Sequence, residues 1–495
     1  MTDNWGRHAL LAAAYGQLSE REEAGKALRD MLRLRPNVGA TIQREVEKWF
    51  DPEYGQRLIE GLRKAGLEIG DRTGTSVAVK ATDSGASRAE EGFWVAVLPF
   101  KYSGSSAELT ALAEGLTEDI VTGLSRFSYL KVIARSSTSR YANQAVDIRS
   151  AGKELGARFV MEGSLRQAGS KLRLAVQLVD AVSGAHLWAE NYERSFNPEA
   201  VFELQDELVP RIVSTIADAH GILPHTMSEA IRGKSAEQLS PYEAVLRSFS
   251  YAERVTPEEH AVARAGLEQA VKVAPSYGYA WAMLAFLIAD EYGFGFNPQP
   301  NPLERALQAA RRAVELDSSG HRGYQALATV LFYRREIQAF RTAAERAIAL
   351  NPMDGCNIAQ LGAYIAYAGE WERGCALVDQ ALQLNPNHPG WYWFPLFFNA
   401  YRKRDYQGAL NFALKINLPG LHSTHIVLAA VYGQLGQREE ASKALQELLK
   451  LMPKIASIAR PALGMRFDPE MVEHLIDGLR KAGLEIADNL PSGTS

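Results

Sequence analysis

Apolar positions along this chain follow two different spacings, and the change between them divides it. From about residue 241 to 486, apolar and small residues return every three or four positions in paired runs, which predicts paired amphipathic helices. The pairs close at Pro275, Ser318, Pro352, Pro386 and Pro453. Pro352 to Pro386 is 34 residues, Ser318 lies 34 before Pro352, and Pro386 to Pro453 is 67, close to two such steps. Pro275 to Ser318 is 43, so about nine residues are extra, and the stretch GFGFNPQPNP at 293–302 is the expected insertion.

Between 93 and 196 the period shortens to that of strands. WVAVLPF predicts a short buried strand, 107–125 a helix with Leu109, Leu112, Leu116, Ile120 and Leu124 on one side, 130–135 a second strand and 144–156 a second helix. Three strands are then expected within 158–169, 170–184 and 185–196, joined by glycine-containing turns. Leu172, Leu174, Val176 and Leu178 alternate with Lys171, Arg173, Ala175 and Gln177, as a strand with one buried face requires. The order β-α-β-α-β-β-β predicts a compact α/β domain. Connecting helices at 197–240 follow, including a helix over 199–220 that Pro210 should kink.

Residues 7–69 and 424–486 are the same segment written twice, at a constant offset of 417 with 33 identities in 63 positions. Each copy is a helix pair ending in Leu-x-Pro, then a further helix opened by Asp51-Pro52 or Asp468-Pro469 and followed by Gly66 or Gly483. Aspartate suits the N-cap, proline the first helical position and glycine the left-handed C-cap. The last helix, at about 469–482, is expected to seal an array. The first copy, 1–69, is one pair plus its cap, fewer than the three or so units that such repeats need to be stable alone. It is therefore expected to dock on something or to be marginally ordered. Residues 70–92, rich in Gly, Ser, Thr and charge, read as a flexible linker, and 487–495 as a tail.

The 34-residue period, with large residues in first helices and alanines in second ones, resembles the tetratricopeptide repeat. Trp281, Leu284 and Ala285 with Ala306, Ala310 and Ala313 carry the likeness. So do Tyr324, Leu327 and Ala328 with Ala344, Ala347 and Pro352; Trp393, Leu396 and Tyr401 with Ala409; and Leu428, Ala429, Tyr432 and Gly433 with Ala441, Leu445 and Pro453. The fold expected is mainly α: a tetratricopeptide-type α-solenoid of about six repeats at 241–486, with a small α/β domain at 93–196.

That domain resembles the TolB-like domain that bacteria place before such arrays. The matching stretches are Val95–Phe100, Glu114–Ile120, Val132–Ser137, Glu154–Arg158, Glu162–Arg166 and Leu187–Glu190. The resemblance implies a protein associated with class III adenylate/guanylate cyclases, whose catalytic domain precedes the pair, or with a winged-helix domain there. Neither is read here: a cyclase domain has no room before residue 93, and the chain opens instead on the duplicate of its own tail. The loop KYSGSSAELTALAEG departs from the family pattern.

The formal net charge of −4 gives no electrostatic case for nucleic acid or an anionic membrane. No run of 18 apolar residues predicts a membrane span, and charged residues near the start argue against a signal peptide. Cys356 and Cys375 read as buried free thiols in a reducing compartment, so a cytoplasmic location is expected. No catalytic, metal or cofactor motif is found. His422 and His425 share a helix face without a third ligand, and Gly293-Phe294-Gly295 lacks the strand and third glycine of a dinucleotide loop. Glu118, Asp119 and Glu162 read as helix-end charges, and Arg135, Arg158 and Arg166 are interleaved with acidic residues.

The concave face of the array is the candidate site. Its expected partner-binding residues are Phe332, Tyr333, Tyr367, Phe394, Phe398, Tyr401 and Arg402, aromatics and an arginine of the kind that form hot spots; packing between repeats is the alternative. Gln325, Thr329, Ala359, Ala363, Phe394 and Phe398 stand where a carboxylate clamp would need lysine and asparagine, so an apolar or helical segment is the expected ligand. The function expected is a non-catalytic protein-interaction scaffold in bacterial signalling. The regulatory portion or remnant of a nucleotide cyclase, and a self-associating repeat protein, are the alternatives.

Overall fold

The computed structural model describes residues 5–18, 20–34, 42, 52–67, 93–142, 144, 146–197 and 201–487. The expected linker at 70–92 lies outside these residues, as does the tail beyond 487. The chain divides into two units, Met1–Lys80 and Ala81–Ser495.

In the first unit, α1 (Trp5–Gln17), α2 (Arg21–Leu34) and α3 (Pro52–Lys64) enclose a core of their own. Ala9, Ala12 and Ala13 of α1 face Leu28 and Met31 of α2 and Leu58, Ile59 and Leu62 of α3. Small residues on α1 allow close approach. A Cβ on Gly16 would overlap the Gly61 carbonyl, so both positions require glycine. Lys64 Nζ donates to Gln17 Oε1 at 2.9 Å across the same crossing.

The second unit begins with a mixed sheet of order β3-β1-β4-β5-β6. Its strands are β1 (Trp94–Val97), β2 (Lys101–Tyr102), β3 (Lys131–Val132), β4 (Phe159–Ala168), β5 (Lys171–Asp180) and β6 (His186–Ser195). β1 runs parallel to β3 and β4, and β4, β5 and β6 are antiparallel. The alternation expected of β5 holds, since Leu172, Leu174, Val176 and Leu178 are all buried. They share a core with Leu109, Leu112, Leu116, Ile120 and Leu124 of α4 (Ala107–Ser125). The other face, through Ala96, Leu98 and Val160, packs on Ala151 and Leu155 of α6 (Ile148–Leu155).

Three local expectations need correction. The strand expected at 130–135 stops at Val132, because the chain turns into the short α5 (Arg135–Thr138). The helix expected from 144 begins at Ile148, where the Asp147 side chain caps it by accepting from the Arg149 amide. β2 was not expected; it pairs in parallel with β4.

Helix α7 (Val201–Ala217) runs unbroken through Pro210, with Leu204, Leu208, Ile212 and Ile216 buried. Helix α8 (Ile222–Ile231) leads into six helix pairs. They are α9 (Pro241–Arg254) with α10 (Pro257–Val273), α11 (Gly278–Gly293) with α12 (Pro302–Leu316), and α13 (His321–Tyr333) with α14 (Ile337–Leu350). Next come α15 (Gly355–Tyr367) with α16 (Trp371–Leu384), α17 (Phe394–Arg402) with α18 (Tyr406–Ile416), and α19 (His422–Leu435) with α20 (Arg438–Leu451). An unexpected α21 (Ile455–Gly464) precedes the final α22 (Pro469–Lys481), which Asp468 caps by accepting from the Met471 amide at 2.9 Å.

The insertion falls between α11 and α12 and is pinned from inside. The buried Glu291 carboxylate accepts the Gln299 amide at 3.0 Å and pairs with Arg264 at 2.8 Å and Arg305 at 3.0 Å. The α/β domain and the array share one continuous core. Tyr129 donates to the Ala217 carbonyl at 2.6 Å, its own carbonyl accepts from Tyr242 at 2.8 Å, and its ring lies 5.1 Å from Phe249.

Candidate functional site

Because first helices of successive pairs face the same way, α9, α11, α13, α15, α17 and α19 surround one interior. It is a cavity of about 440 Å³, to which none of the second helices contributes a lining residue among those described. Volume and aromatic lining fall within the range of small-molecule sites.

The turn after α21 closes one side. Arg335 Nη2 donates to the Gly464 carbonyl at 2.5 Å and the Phe467 carbonyl at 3.1 Å. Arg466 Nη2 donates to the Gly293 carbonyl at 2.9 Å and the Tyr333 hydroxyl at 3.2 Å. The Phe467 ring sits 4.5 Å from Phe398 and 4.9 Å from Tyr367. Four residues of turn thus tie the end of the array to α11, α13, α15 and α17 and narrow the groove to a half-open chamber.

The seven expected partner-binding residues separate into three groups. Tyr333, Tyr367, Phe394 and Phe398 line the chamber. Phe332 and Tyr401 are fully buried and line nothing. Phe332 stacks on Tyr364 at 4.5 Å, while Tyr401 donates to the His474 carbonyl at 3.2 Å and so anchors α22. Both therefore pack between helices, because an inner helix in a closed superhelix buries its flanks against neighbours. Arg402 is half-buried over the Trp371 ring at 5.0 Å and pairs with Glu372 at 3.0 Å, outside the chamber.

Sequence reasoning missed the polar groups of the chamber. The Tyr251 hydroxyl donates to Asp290 at 2.8 Å, and burial pushes the Asp290 carboxyl up to about 7. Burial pulls His220 and His422 down to about 4, so both rings are neutral at neutral pH. Arg322 donates to Gln325 at 2.7 Å, and Gln325 in turn to Gln360 at 2.6 Å. Among the described residues no group of three His, Cys, Asp or Glu side chains could hold a metal ion.

A buried polar network lies against this end of the chamber. Asp354 caps α15, lies 3.0 Å from Arg322 Nη2 and accepts from His321 at 2.8 Å. Burial disfavours its charge, but Arg322 and His321 outweigh that and hold the carboxyl at about 2. Asp218, just after α7, accepts from Ser214 at 3.1 Å and Asn385 at 3.0 Å. Burial, with the Asp354 charge nearby, pushes Asp218 up to about 7. The network ties the exit helix of the α/β domain to turns of the third and fourth pairs.

No sequence signal singles out Arg466. The two copies of the duplicated segment agree at Phe50-Asp51-Pro52 and Phe467-Asp468-Pro469, yet Trp49 stands where the second copy has Arg466. That difference ends a run, 37–49 against 454–466, in which no position is identical, so it marks nothing particular to Arg466.

Residues 91–211 match the model for the second domain of HilA/YgeH-like transcriptional regulators, and residues 422–455 match a tetratricopeptide repeat model. The first covers the stretch whose motifs resemble the TolB-like domain, under a different description. A curated relative from Rhizobium meliloti (strain 1021), named "Putative adenylate cyclase 3", is 34% identical over 246 residues. The match takes in 49% of this chain and spans 41% of that protein's length. Among solved structures, PilF of Pseudomonas aeruginosa is similar at 17% identity, covering 46% of this chain and 94% of its own, with a TM-score of 0.31. Yeast Tom70 is similar at 12% identity, covering 96% and 85%, with a TM-score of 0.32.

Proposed function

We propose that this chain is a non-catalytic interaction scaffold of a bacterial signalling system, working in the cytoplasm. The observation that supports it most is the stack of six helix pairs, sealed by α22 and joined through one core to the α/β domain. Stacked pairs expose a long, rigid outer surface at little cost in ordering entropy, which favours recognition of a protein segment. Since Phe332 and Tyr401 are buried and four further aromatics face inward, the partner meets the outside of the array, where Arg402 lies. An apolar or helical segment remains the ligand expected.

Affinity purification of the tagged full-length chain from its native cell, then reconstitution with the purified partner, tests this reading. A stoichiometric complex is expected, and Arg402→Ala weakens it. Conversion of ATP to cyclic AMP by the purified chain with Mn²⁺ would overturn it.

A second reading is favoured by the relative named as an adenylate cyclase: the chain acts as the regulatory portion of such an enzyme. Adding it in trans to a cyclase catalytic domain should then change that domain's turnover. Self-association is the third reading, and light scattering of the full-length chain across a concentration series checks it, with a constant monomer mass arguing against it.

A further inference from the structure

We propose that the chamber inside the array binds a small apolar carboxylate, with Arg466 as the group that recognises its charge. This goes beyond the scaffold reading and does not depend on it.

Arg466 is held where a ligand's acid group would need a cation. Both of its protein hydrogen bonds use Nη2, and both acceptors, the Gly293 carbonyl and the Tyr333 hydroxyl, are neutral. Nη1 and Nε have no acceptor among the described residues, and no carboxylate there forms an ion pair with the guanidinium. Its plane lies near two rings instead, 5.5 Å from the Phe294 centroid and 5.7 Å from that of Tyr333. Aromatic faces fix a guanidinium but do not neutralise it. Asp290 also lines the chamber and feels the Arg466 charge, yet burial favours its neutral form, it makes no contact with the guanidinium, and its oxygen is engaged by Tyr251.

The other arginine of the chamber behaves differently. Arg322 has Asp354 at 3.0 Å and Gln325 at 2.7 Å, so its charge is already answered within the protein. Of the two cations only Arg466 has no carboxylate in contact with it, and a guanidinium presents a planar fork that matches a carboxylate. Phe394, Phe398, Ile426, Met283 and Leu287 supply an apolar wall for the rest of the ligand. A cavity of about 440 Å³ suits a compact molecule and excludes a folded protein element. Charge at one point and an apolar body around it describe an amphiphilic monoacid.

Isothermal titration of the full-length chain tests this with two acids and their neutral counterparts: octanoate against 1-octanol, and 2-naphthoate against 2-naphthalenemethanol. At least one acid is expected to bind roughly tenfold or more tighter than its alcohol, the usual scale of a charge-assisted hydrogen bond. Whichever acid binds better tells an aliphatic body from an aromatic one. Arg466→Gln should erase the preference for acid while leaving the alcohol's affinity within about threefold. Should that variant melt early, Arg466→Lys keeps the cation without the fork and should retain only part of the preference. Ala363→Leu narrows the chamber from α15 while leaving Arg466 in place and should weaken acid and alcohol together. Equal binding of acid and alcohol, an unchanged preference in Arg466→Gln or Arg466→Lys, unimpaired binding in Ala363→Leu, or no binding of either acid at about 1 mM would each overturn the proposal.

Discussion

Gly433 on α19 and Gly478 on α22 meet backbone to backbone: a Cβ on Gly433 would overlap the Gly478 carbonyl, and one on Gly478 would lie 2.7 Å from the Ala430 carbonyl. Gly16 and Gly61, their counterparts 417 residues earlier, repeat the relationship between α1 and α3. Lys481 donates to Gln434 at 2.8 Å as Lys64 donates to Gln17. The duplication thus preserves a specific helix crossing and not merely a run of residues.

Gly433→Ala should therefore destabilise the second unit by about 1–3 kcal/mol, the scale of overpacking where backbone cannot retreat. Urea denaturation of the full-length protein, followed by circular dichroism, measures it. A midpoint within error of the parent would mean that the crossing relaxes freely.

Phe394→Ala and Tyr401→Ala act on stability before they act on any partner. Both side chains are buried, and truncating a buried aromatic costs about 3–5 kcal/mol. Thermal melting should show large losses for each. The Tyr401 variant should in addition loosen α22, read by faster hydrogen exchange over 469–481.

Asp354→Asn leaves Arg322 buried beside a neutral group. Breaking one side of a buried pair costs about 3–5 kcal/mol, so this change should rank among the most damaging in the array. Asp218→Asn, at a carboxyl that burial already favours as neutral, should be far milder. Parallel denaturation curves of the two variants make the comparison, and equal losses would contradict the assignment of charge.

Asp218 and Asp290 make stability fall as pH rises towards 7, while His220 and His422, pulled down to about 4 by burial, make it rise until their ordinary 6.5. These four groups together should give a net fall only between about 6.5 and 7. Asp218 and Asp290 have folded-state values raised to about 7 from an ordinary 3.8, so the fold favours their neutral forms. Their contribution is complete below the unfolded value and is lost as pH climbs through the folded one. Asp354 works oppositely. Held at about 2, it stabilises above the ordinary value, and that contribution disappears as pH falls through 2. Asp290→Asn should flatten the neutral-range decline by on the order of 1 kcal/mol, measured as melting temperature against pH.

How much was legible beforehand varies with the range of the interaction. The helix pairs, their closing prolines and the insertion at 293–302 rest on local periodicity, and Asp468, Pro469 and Gly483 carried the end of the array in adjacent residues. Strand β3 proved shorter than its apolar run because Arg135 already belongs to a helix, a boundary that periodicity does not mark. Helix α21 was missed because Pro461 sits within it and reads as a breaker. The candidate aromatics lie on first helices of their pairs, yet nothing local distinguishes Phe398, which faces a chamber, from Tyr401, three residues on, which faces α22.

The amino-acid sequence by itself determined the helical hairpins, their stacking period, the strand alternation and the copied crossing, since each follows from contacts within one element or one repeat. Tertiary structure alone decided that the groove is walled on one side. That wall depends on Arg335 and Arg466 reaching turns about 130 to 170 residues away in the chain. Such contacts form only after superhelical rotation, summed over six pairs, brings the ends together, and no short window of residues encodes that sum.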